Sequence, residues 1–355
     1  MMNTIERLLE TLDRQVDAAM IVSDANRFYF TGFASTAGTL LITRHESYFI
    51  VDFRYIEIAQ KTISNCQVIL QENLIEQINE LLKKNQIKTL GIEAATLPLS
   101  AYQYYARELD TQVLDDSRLS DAIENIRAVK SREELDSLRK AQIMTDRAFS
   151  YIINHIHPGV TEQDIILNMG AFMERLGSEG RSFDFIAVSG PKTSLPHGKA
   201  GTRVIERGDF VTMDFGCKVN GYLSDMTRTV AVGEVSDHQA EVYEIVRQAQ
   251  EKAFACIRPG EICNRVDAAA RDYIASKGYG AFFGHGLGHS LGVEIHENPR
   301  FNQTCTYALR PGNVLTVEPG IYLPNQFGVR IEDMMVVTSE GYENLTHSPK
   351  KLIVL

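Results

Sequence analysis

The sequence predicts an α/β domain followed by a second domain built from two related halves. Three observations predict it. Strand and helix patterns alternate over residues 1–120, a long capped helix opens after them, and two motifs recur about a hundred residues apart. At 355 residues the chain is long enough for two domains, each with its own core.

The alternation begins with "MMNTIERLLETLDRQVDAAMIV", whose apolar stripe and scattered acids predict an amphipathic helix rather than a signal peptide. "AAMIVSD" (18–24), "GTLLIT" (38–43) and "SYFIVDF" (47–53) are strands by their apolar, β-branched and aromatic content. "IEQINELLKKN" (75–85) and "LSAYQYYARELD" (99–110) are helices by their period. The character changes near residue 125, which sets the domains at 1–125 and 126–355. There Ser131-x-x-Glu134 forms a capping box, and Leu135, Leu138, Ala148, Phe149, Ile152 and Ile156 make one apolar stripe.

Within the second domain "IHPGVTEQDI" (156–165) is similar to "IRPGEICNRV" (257–266), an offset of 101. "RGDFVTMDFG" (207–216) is similar to "RPGNVLTVEPG" (310–320), an offset of 104 that aligns Asp214 with Glu318. Two matches at nearly equal offset predict a duplicated half-domain with equivalent strands about a pseudo-twofold axis.

The acids of those strands come in pairs. In "VTMDFGCKVNGYLSDMTRTV" (211–230) two alternating strands flank Asn220-Gly221, a preferred type I′ turn. That turn pairs Val219 with Tyr222 and Asp214 with Thr227. Asp214 and Asp225 then share a face as diagonal neighbours, roughly 7–8 Å apart at Cα. Either a cation lies between them or that face is open to water. "NVLTVEPGIYLPNQFGVRIEDMMVV" (313–337) predicts a second hairpin around "PNQFG", with Glu318 in one strand and Glu332 in the other. Arg330 and Glu332 share a face there, and a plain ion pair from Arg330 to Glu332 or Asp333 accounts for that arginine as well as a functional role does.

Between the hairpins lies "FFGHGLGHSLGVEIHENP" (282–299). His285-x-x-x-His289 has the spacing of a zinc-protease helix, but Gly286 stands where that motif needs Glu. Glycines at 284, 286, 288 and 292 would each cost a helix about 1 kcal/mol, so the segment is predicted extended, with His285, Leu287 and His289 facing one way. Four carboxylates with an imidazole hold too many oxygens for a structural zinc. They suit a pair of divalent ions such as Mn²⁺, Co²⁺, Fe²⁺ or Zn²⁺.

In their order, Asp214, Asp225, His289, Glu318 and Glu332 resemble the ligand set of the creatinase/prolidase (pita-bread, M24) metallopeptidases, which include methionine aminopeptidase, aminopeptidase P and Xaa-Pro dipeptidase. "MDFG", "GYLSDMTRT", "GHGLGH", "VEPGIY" and "GVRIED" all fit that pattern. The resemblance covers about 126–355, and the leading domain resembles the creatinase/prolidase N-terminal domain. It implies an α/β N-terminal domain followed by an α+β pita-bread domain. It implies two divalent ions per chain, with Mn²⁺ the expected metal, Asp225 on one and His289 on the other, and Asp214 and Glu332 bridging or chelating. Glu318 would bind metal and pass a proton to the leaving amine. His197, in "LPHG", would lie near the substrate, and His285 and His296 would line the pocket and stabilise the tetrahedral intermediate. Arg330 matches an arginine beside the last ligand.

The implied activity is hydrolysis of the Xaa-Pro bond in short proline-containing peptides, an Xaa-Pro dipeptidase being preferred for the modest length and short loops. Aminopeptidase P, acting on longer peptides, is the alternative. A catalytically silent peptide-binding protein is the second alternative, although no ligand is lost. A metal-free creatinase-like hydrolase would not keep the five ligands, and a methionine aminopeptidase would lack the leading domain. A homodimer is implied as well. The net charge of −10 argues against a nucleic-acid partner, since a polyanion needs a basic face on the protein, and no apolar run is long enough for a membrane span. Five scattered cysteines without C-x-x-C suggest a reducing compartment, hence the cytoplasm.

Overall fold

Apolar segments of the first hundred residues assemble into a mixed six-stranded sheet. In this computed structural model, which describes residues 3–355, the chain divides into Met1–Arg127 and Ala128–Leu355. In the first unit helix α1 (Thr4–Thr11) leads into strand β1 (Ala18–Ile21), followed by α2 (Asp24–Thr31), β2 (Thr39–Thr43), β3 (Ser47–Val51), α3 (Ile56–Thr62) and β4 (Gln67–Leu70). Then come α4 (Leu74–Lys84), β5 (Thr89–Ile92), α5 (Leu99–Glu108), β6 (Gln112–Leu114) and α6 (Arg118–Ala128). The order is β4-β3-β2-β1-β5-β6, with β1 antiparallel to β2 and parallel to β5. Ile78 and Leu82 of α4 pack on Met20, Leu41, Tyr48 and Leu90 of the sheet. The six elements expected from sequence, the N-terminal helix, three strands and two helices, are all present; α2, α3, α6, β4, β5 and β6 are additional to them.

The second unit opens with α7 (Arg132–Ile152), started by the Ser131–Glu134 capping box, and buries Leu138, Ala148, Phe149 and Ile152 on one stripe. Next are α8 (Glu162–Arg175), β7 (Ile186–Ser189), β8 (Phe210–Phe215), β9 (Lys218–Val219), β10 (Tyr222–Leu223) and β11 (Met226–Ala231). The second half runs α9 (Asp237–Cys256), α10 (Cys263–Ser276), β12 (Gly288–Ser290), β13 (Glu297–Phe301), β14 (Val314–Val317), β15 (Gly320–Leu323), β16 (Phe327–Arg330), β17 (Asp333–Val337) and β18 (Tyr342–Asn344).

The repeat is structural. Each half is a long helix, a shorter helix and an antiparallel pair, β8/β11 in the first and β14/β17 in the second. Gly159 and Gly260 both take positive φ, as do Gly208 and Gly312, marking the same turns in each half. The bridge Thr161↔Val204 recurs as Ile262↔Ala308. The first half keeps a core of Phe149, Ile165, Met169, Met213 and Val230, and the second one centred on Val246, Ala249, Val266, Leu315 and Met335. The sheets, β11-β8-β7 and β13-β12-β14-β17-β18, carry Asp214 on β8 and hold Asp225, Glu318 and Glu332 at strand ends.

Two details differ from expectation. The hairpin around Pro324 is not two long strands: each breaks, between β14 and β15 at Glu318-Pro319 and between β16 and β17 at Ile331-Glu332. Pro319 has no N–H to give the ladder. The histidine segment is extended only over β12 and the start of β13, and Leu287 turns into the core of the second half while His285 and His289 line a cavity. Alternation cannot be carried back from a three-residue strand.

Candidate metal centre

In the first half the turn sets the acids. Asn220 and Gly221 adopt φ of 50° and 77°, as a type I′ turn requires. Val219 pairs with Tyr222 and Asp214 with Thr227. Asp225 stands just before β11 and is buried. In the second half the register that pairs Val317 with Asp333 also pairs Gly320 with Arg330, so Glu318 and Glu332 face each other across the break. His289 sits on β12, which Gly288 lets approach β14: a Cβ there would lie 2.0 Å from the Thr316 carbonyl oxygen. Thr316 Oγ1 accepts from the His289 amide at 3.0 Å, fixing the strand beside the acids.

These elements bring all five residues to one cavity of about 550 Å³. Ligand atoms of Asp225, His289 and Glu332 lie within 4.8 Å of one another. His289 Nε2 is 3.6 Å from Asp225 Oδ2 and 3.5 Å from Glu318 Oε1. Its Nδ1 donates to the Ser290 carbonyl at 3.1 Å, which leaves Nε2 with its lone pair toward the acids. Burial, with the charges of His296 and Arg300, pulls the imidazole down to about 3, so His289 is neutral at physiological pH. That is the state a metal needs.

The carboxyls show the opposite strain. Burial pushes Glu318 up to about 8, with Asp214 adding to the rise against the opposing charge of Arg330. Burial and the neighbouring acids raise Asp225 and Glu332 well above the carboxylate range. At an effective dielectric of 20, two charges 4 Å apart repel by about 4 kcal/mol. Among the described residues Arg330 is the one Lys or Arg that pairs with an acid of the cluster. Asp214 Oδ1 and Asp225 Oδ1 are buried without a hydrogen-bond partner. Orphaned oxygens, crowded acids and a neutral imidazole nitrogen fit divalent cations.

A chain of hydrogen bonds holds this set. Arg330 Nη2 donates to Asp214 Oδ2 at 2.7 Å, Nε to Thr227 Oγ1 at 3.0 Å and Nη1 to the Tyr322 hydroxyl at 3.0 Å. Thr227 Oγ1 donates to Glu332 Oε2 at 2.7 Å. Arg330 therefore meets Asp214, not Glu332 or Asp333. Asp333 pairs with Arg228 at 2.7 Å and Lys350 at 2.8 Å. His285 is committed at both nitrogens: Nδ1 donates to the Gly286 carbonyl at 2.8 Å, and Nε2 accepts from Tyr322 Oη at 2.9 Å. Burial lowers it to about 4. His285 thus orients Tyr322 and has no N–H left for an oxyanion in this arrangement.

His197 and His296 line the same cavity and are exposed enough to meet a ligand. His296 packs edge-on against His289, ring centres 4.5 Å apart. The other five histidines lie outside the lining. Sequence reasoning missed Tyr322, Thr227 and Arg300. Thr227 was legible, because the turn register puts it opposite Asp214; Tyr322 and Arg300 reach the cavity only through tertiary closure.

Without metal, the crowded carboxyls make stability depend on pH. Asp225, Glu318 and Glu332 bind protons more tightly folded than unfolded, so their contribution is present at low pH and lost as pH rises. The window runs from the ordinary value of 4.5 toward about 8 for Glu318. Chelator-treated protein should melt roughly 5 °C lower at pH 8 than at pH 5.5, and Mn²⁺ should restore it. A melting temperature that stays level or rises across that range would contradict this electrostatic picture.

Comparison with known proteins agrees with the geometry. A family model described as metallopeptidase family M24 matches residues 136–339, and one described as the creatinase/prolidase N-terminal domain matches residues 5–129. An Xaa-Pro dipeptidase from Pyrococcus furiosus is 35% identical over 99% of this chain and 100% of its own. The structure of an Xaa-Pro dipeptidase from Bacillus anthracis superposes with a TM-score of 0.95 at 42% identity, covering 99% of each chain. That of an X-Pro aminopeptidase from Thermotoga maritima MSB8 gives 0.88 at 34%, covering 97% of this chain and 100% of that one.

Proposed function

This chain belongs to metallopeptidase family M24, and on that premise we propose that it hydrolyses the Xaa-Pro bond of dipeptides with two divalent ions held by Asp214, Asp225, His289, Glu318 and Glu332. The observation that carries the proposal is the convergence of acids from both half-domains on the neutral nitrogen of His289 inside one cavity. Four carboxylates against the one guanidinium of Arg330 leave three negative charges when ionised. A single divalent ion leaves one of the three unbalanced, whereas two supply four positive charges against them. Mn²⁺ is the proposed metal, with Co²⁺, Fe²⁺ and Zn²⁺ compatible with the same donors.

Divalent ions bound there lower the pKa of water and polarise a carbonyl. The protein's part is to orient and to move protons. Arg330 fixes Asp214, and Thr227 fixes Glu332, so two of the acids arrive preorganised. Glu318 Oε1 is held by Thr316 Oγ1 at 3.3 Å, leaving Oε2 to carry a proton to the leaving prolyl nitrogen. That nitrogen has no hydrogen in the substrate, so nothing in the pocket has to accept from it. His197 and His296, at the rim, donate to substrate oxygens.

Arg300 supports the dipeptide reading. It lines the cavity, its charge lowers both His289 and His296, and among the described residues no acid pairs with it. A guanidinium there is placed to grip the carboxylate of a C-terminal proline. Arg300→Met is therefore expected to raise KM for Ala-Pro about 10- to 100-fold with kcat within a few-fold. An unchanged KM would remove Arg300 from substrate binding. Ala-Pro should be cleaved and Ala-Pro-Ala spared by metal-loaded protein. The reverse preference would favour the aminopeptidase reading, which the Thermotoga maritima structure supports by its likeness, and cleavage of neither peptide would favour a silent peptide-binding protein. Homodimerisation and a cytoplasmic location are further parts of the proposal. Light scattering at twice 39.8 kDa would support the first, and no helix among the described residues is long and apolar enough to cross a membrane.

A further inference from the structure

Glu162 is the first residue of α8, outside the cavity, and its carboxylate is wholly buried. One oxygen, Oε1, accepts from the Ser189 amide at 2.8 Å and the Ser189 hydroxyl at 3.0 Å. The other, Oε2, accepts from the Gly201 amide at 3.0 Å and from Lys192 Nζ at 2.7 Å. Ser189 ends β7 and Gly201 closes the irregular segment that follows it. In between stand the 3-10 turn Gly190–Ser194 and then Pro196 and His197, both of which line the cavity. A single carboxylate therefore ties the start, the first turn and the end of the segment that carries His197.

We infer that Glu162 is a positioning residue: it pins both ends of the 189–201 segment and so sets where His197 stands in the cavity. Other contacts hold that segment as well. Thr193 Oγ1 accepts from the Gly328 amide at 2.8 Å, and the Pro196 carbonyl accepts from Arg330 Nη1 at 3.2 Å. These two contacts fix its middle against the second half; at the ends Ser189 Oγ also accepts from Arg203 Nη1 at 2.6 Å and the Gly201 carbonyl from the Gln163 amide at 3.1 Å, but Glu162 is the side chain that bonds to both ends. Four donors converge on Glu162, and one of them is charged. Removing the acceptor leaves the Ser189 and Gly201 amides buried or half-buried without their partner, a state that backbone groups relieve by moving. Displacement of a substrate-facing group by about 1 Å costs on the order of a hundredfold in rate. The consequence for catalysis rests on the peptidase reading above; the pinning itself does not.

The test uses the full chain with Glu162→Ala, alone and combined with His197→Ala. Hydrogen–deuterium exchange of the 190–201 amides should rise at least tenfold in Glu162→Ala while exchange in β8 and β11 stays at wild-type rates. With Mn²⁺ supplied, kcat/KM for Ala-Pro should fall about 10- to 100-fold, with metal content per chain unchanged. On the His197→Ala background the same substitution should lower kcat/KM by less than about threefold, because the group it positions is already gone. Unchanged exchange would overturn the pinning, and an equal loss in both backgrounds would overturn the role through His197. Wild-type protein inert toward Ala-Pro would defeat the peptidase reading alone, since the exchange measurement needs no substrate. If Glu162→Ala does not fold, Glu162→Gln keeps the acceptor for Ser189 and sets an amide donor against Lys192 and Gly201. It is then expected to raise exchange at the 201 end more than at the 189 end, and equal protection at both ends would overturn the proposal.

Discussion

Asp225→Asn is expected to abolish metal retention and turnover while leaving the chain folded. Asp225 is buried, its Oδ1 has no partner, and its Oδ2 lies 3.6 Å from the free nitrogen of His289. The amide keeps the shape but offers one neutral oxygen where a charged pair stood. Hydrolysis of Ala-Pro with supplied Mn²⁺ should drop more than about a thousandfold, roughly 4 kcal/mol of lost transition-state stabilisation. Stability should move the other way. In chelated protein at pH 8 the substitution removes a charge that burial, Glu332, Asp214 and Glu318 all disfavour. A gain of about 1–3 kcal/mol in urea unfolding is expected. Retained turnover would contradict the assigned role, and a loss of stability would contradict the electrostatic account.

Arg330→Met is expected to be the most destabilising single change at the site. The guanidinium is buried and donates to Asp214, Thr227, Tyr322 and the Pro196 carbonyl. Methionine fills much of the space and meets none of these acceptors. Removing one partner of a buried pair leaves the other charge uncompensated, at a cost of about 3–5 kcal/mol. Urea unfolding of chelated protein at pH 8 should show that loss. Saturating Mn²⁺ should shrink it, because bound cations take over part of the neutralisation. A change below about 1 kcal/mol without metal would mean that Asp214 finds another partner.

Much of this centre was legible in the sequence, for physical reasons that can be named. Asn220-Gly221 requires two left-handed residues, which dictates the register and hence Asp214 opposite Thr227. The repeat offsets of 101 and 104 reappear as paired bridges and paired glycine turns, so the alignment of Asp214 with Glu318 in sequence reflects equivalent places in the two halves. Alternation misled where backbone regularity ends. The breaks at Glu318-Pro319 and Ile331-Glu332 interrupt both strands at the two glutamates, and Leu287 leaves the face of His289 one residue before β12 begins. Tyr322, Arg300 and Glu162 were illegible for a different cause. Each matters through a partner or a cavity wall far along the chain, and no local period encodes such meetings. The resemblance supplied His285 as a lining residue and a stabiliser of the tetrahedral intermediate; its place in the lining was legible that way, and its hydrogen bonds to Gly286 and Tyr322 were not.

Titration of Mn²⁺ into metal-stripped protein, with bound ions and Ala-Pro hydrolysis followed together, bears most directly on the central claim. Turnover should be absent at first, rise with binding and level off as two ions per chain are reached. Hydrolysis that persists in chelator, or two ions bound with neither Ala-Pro nor Ala-Pro-Ala cleaved, would contradict it.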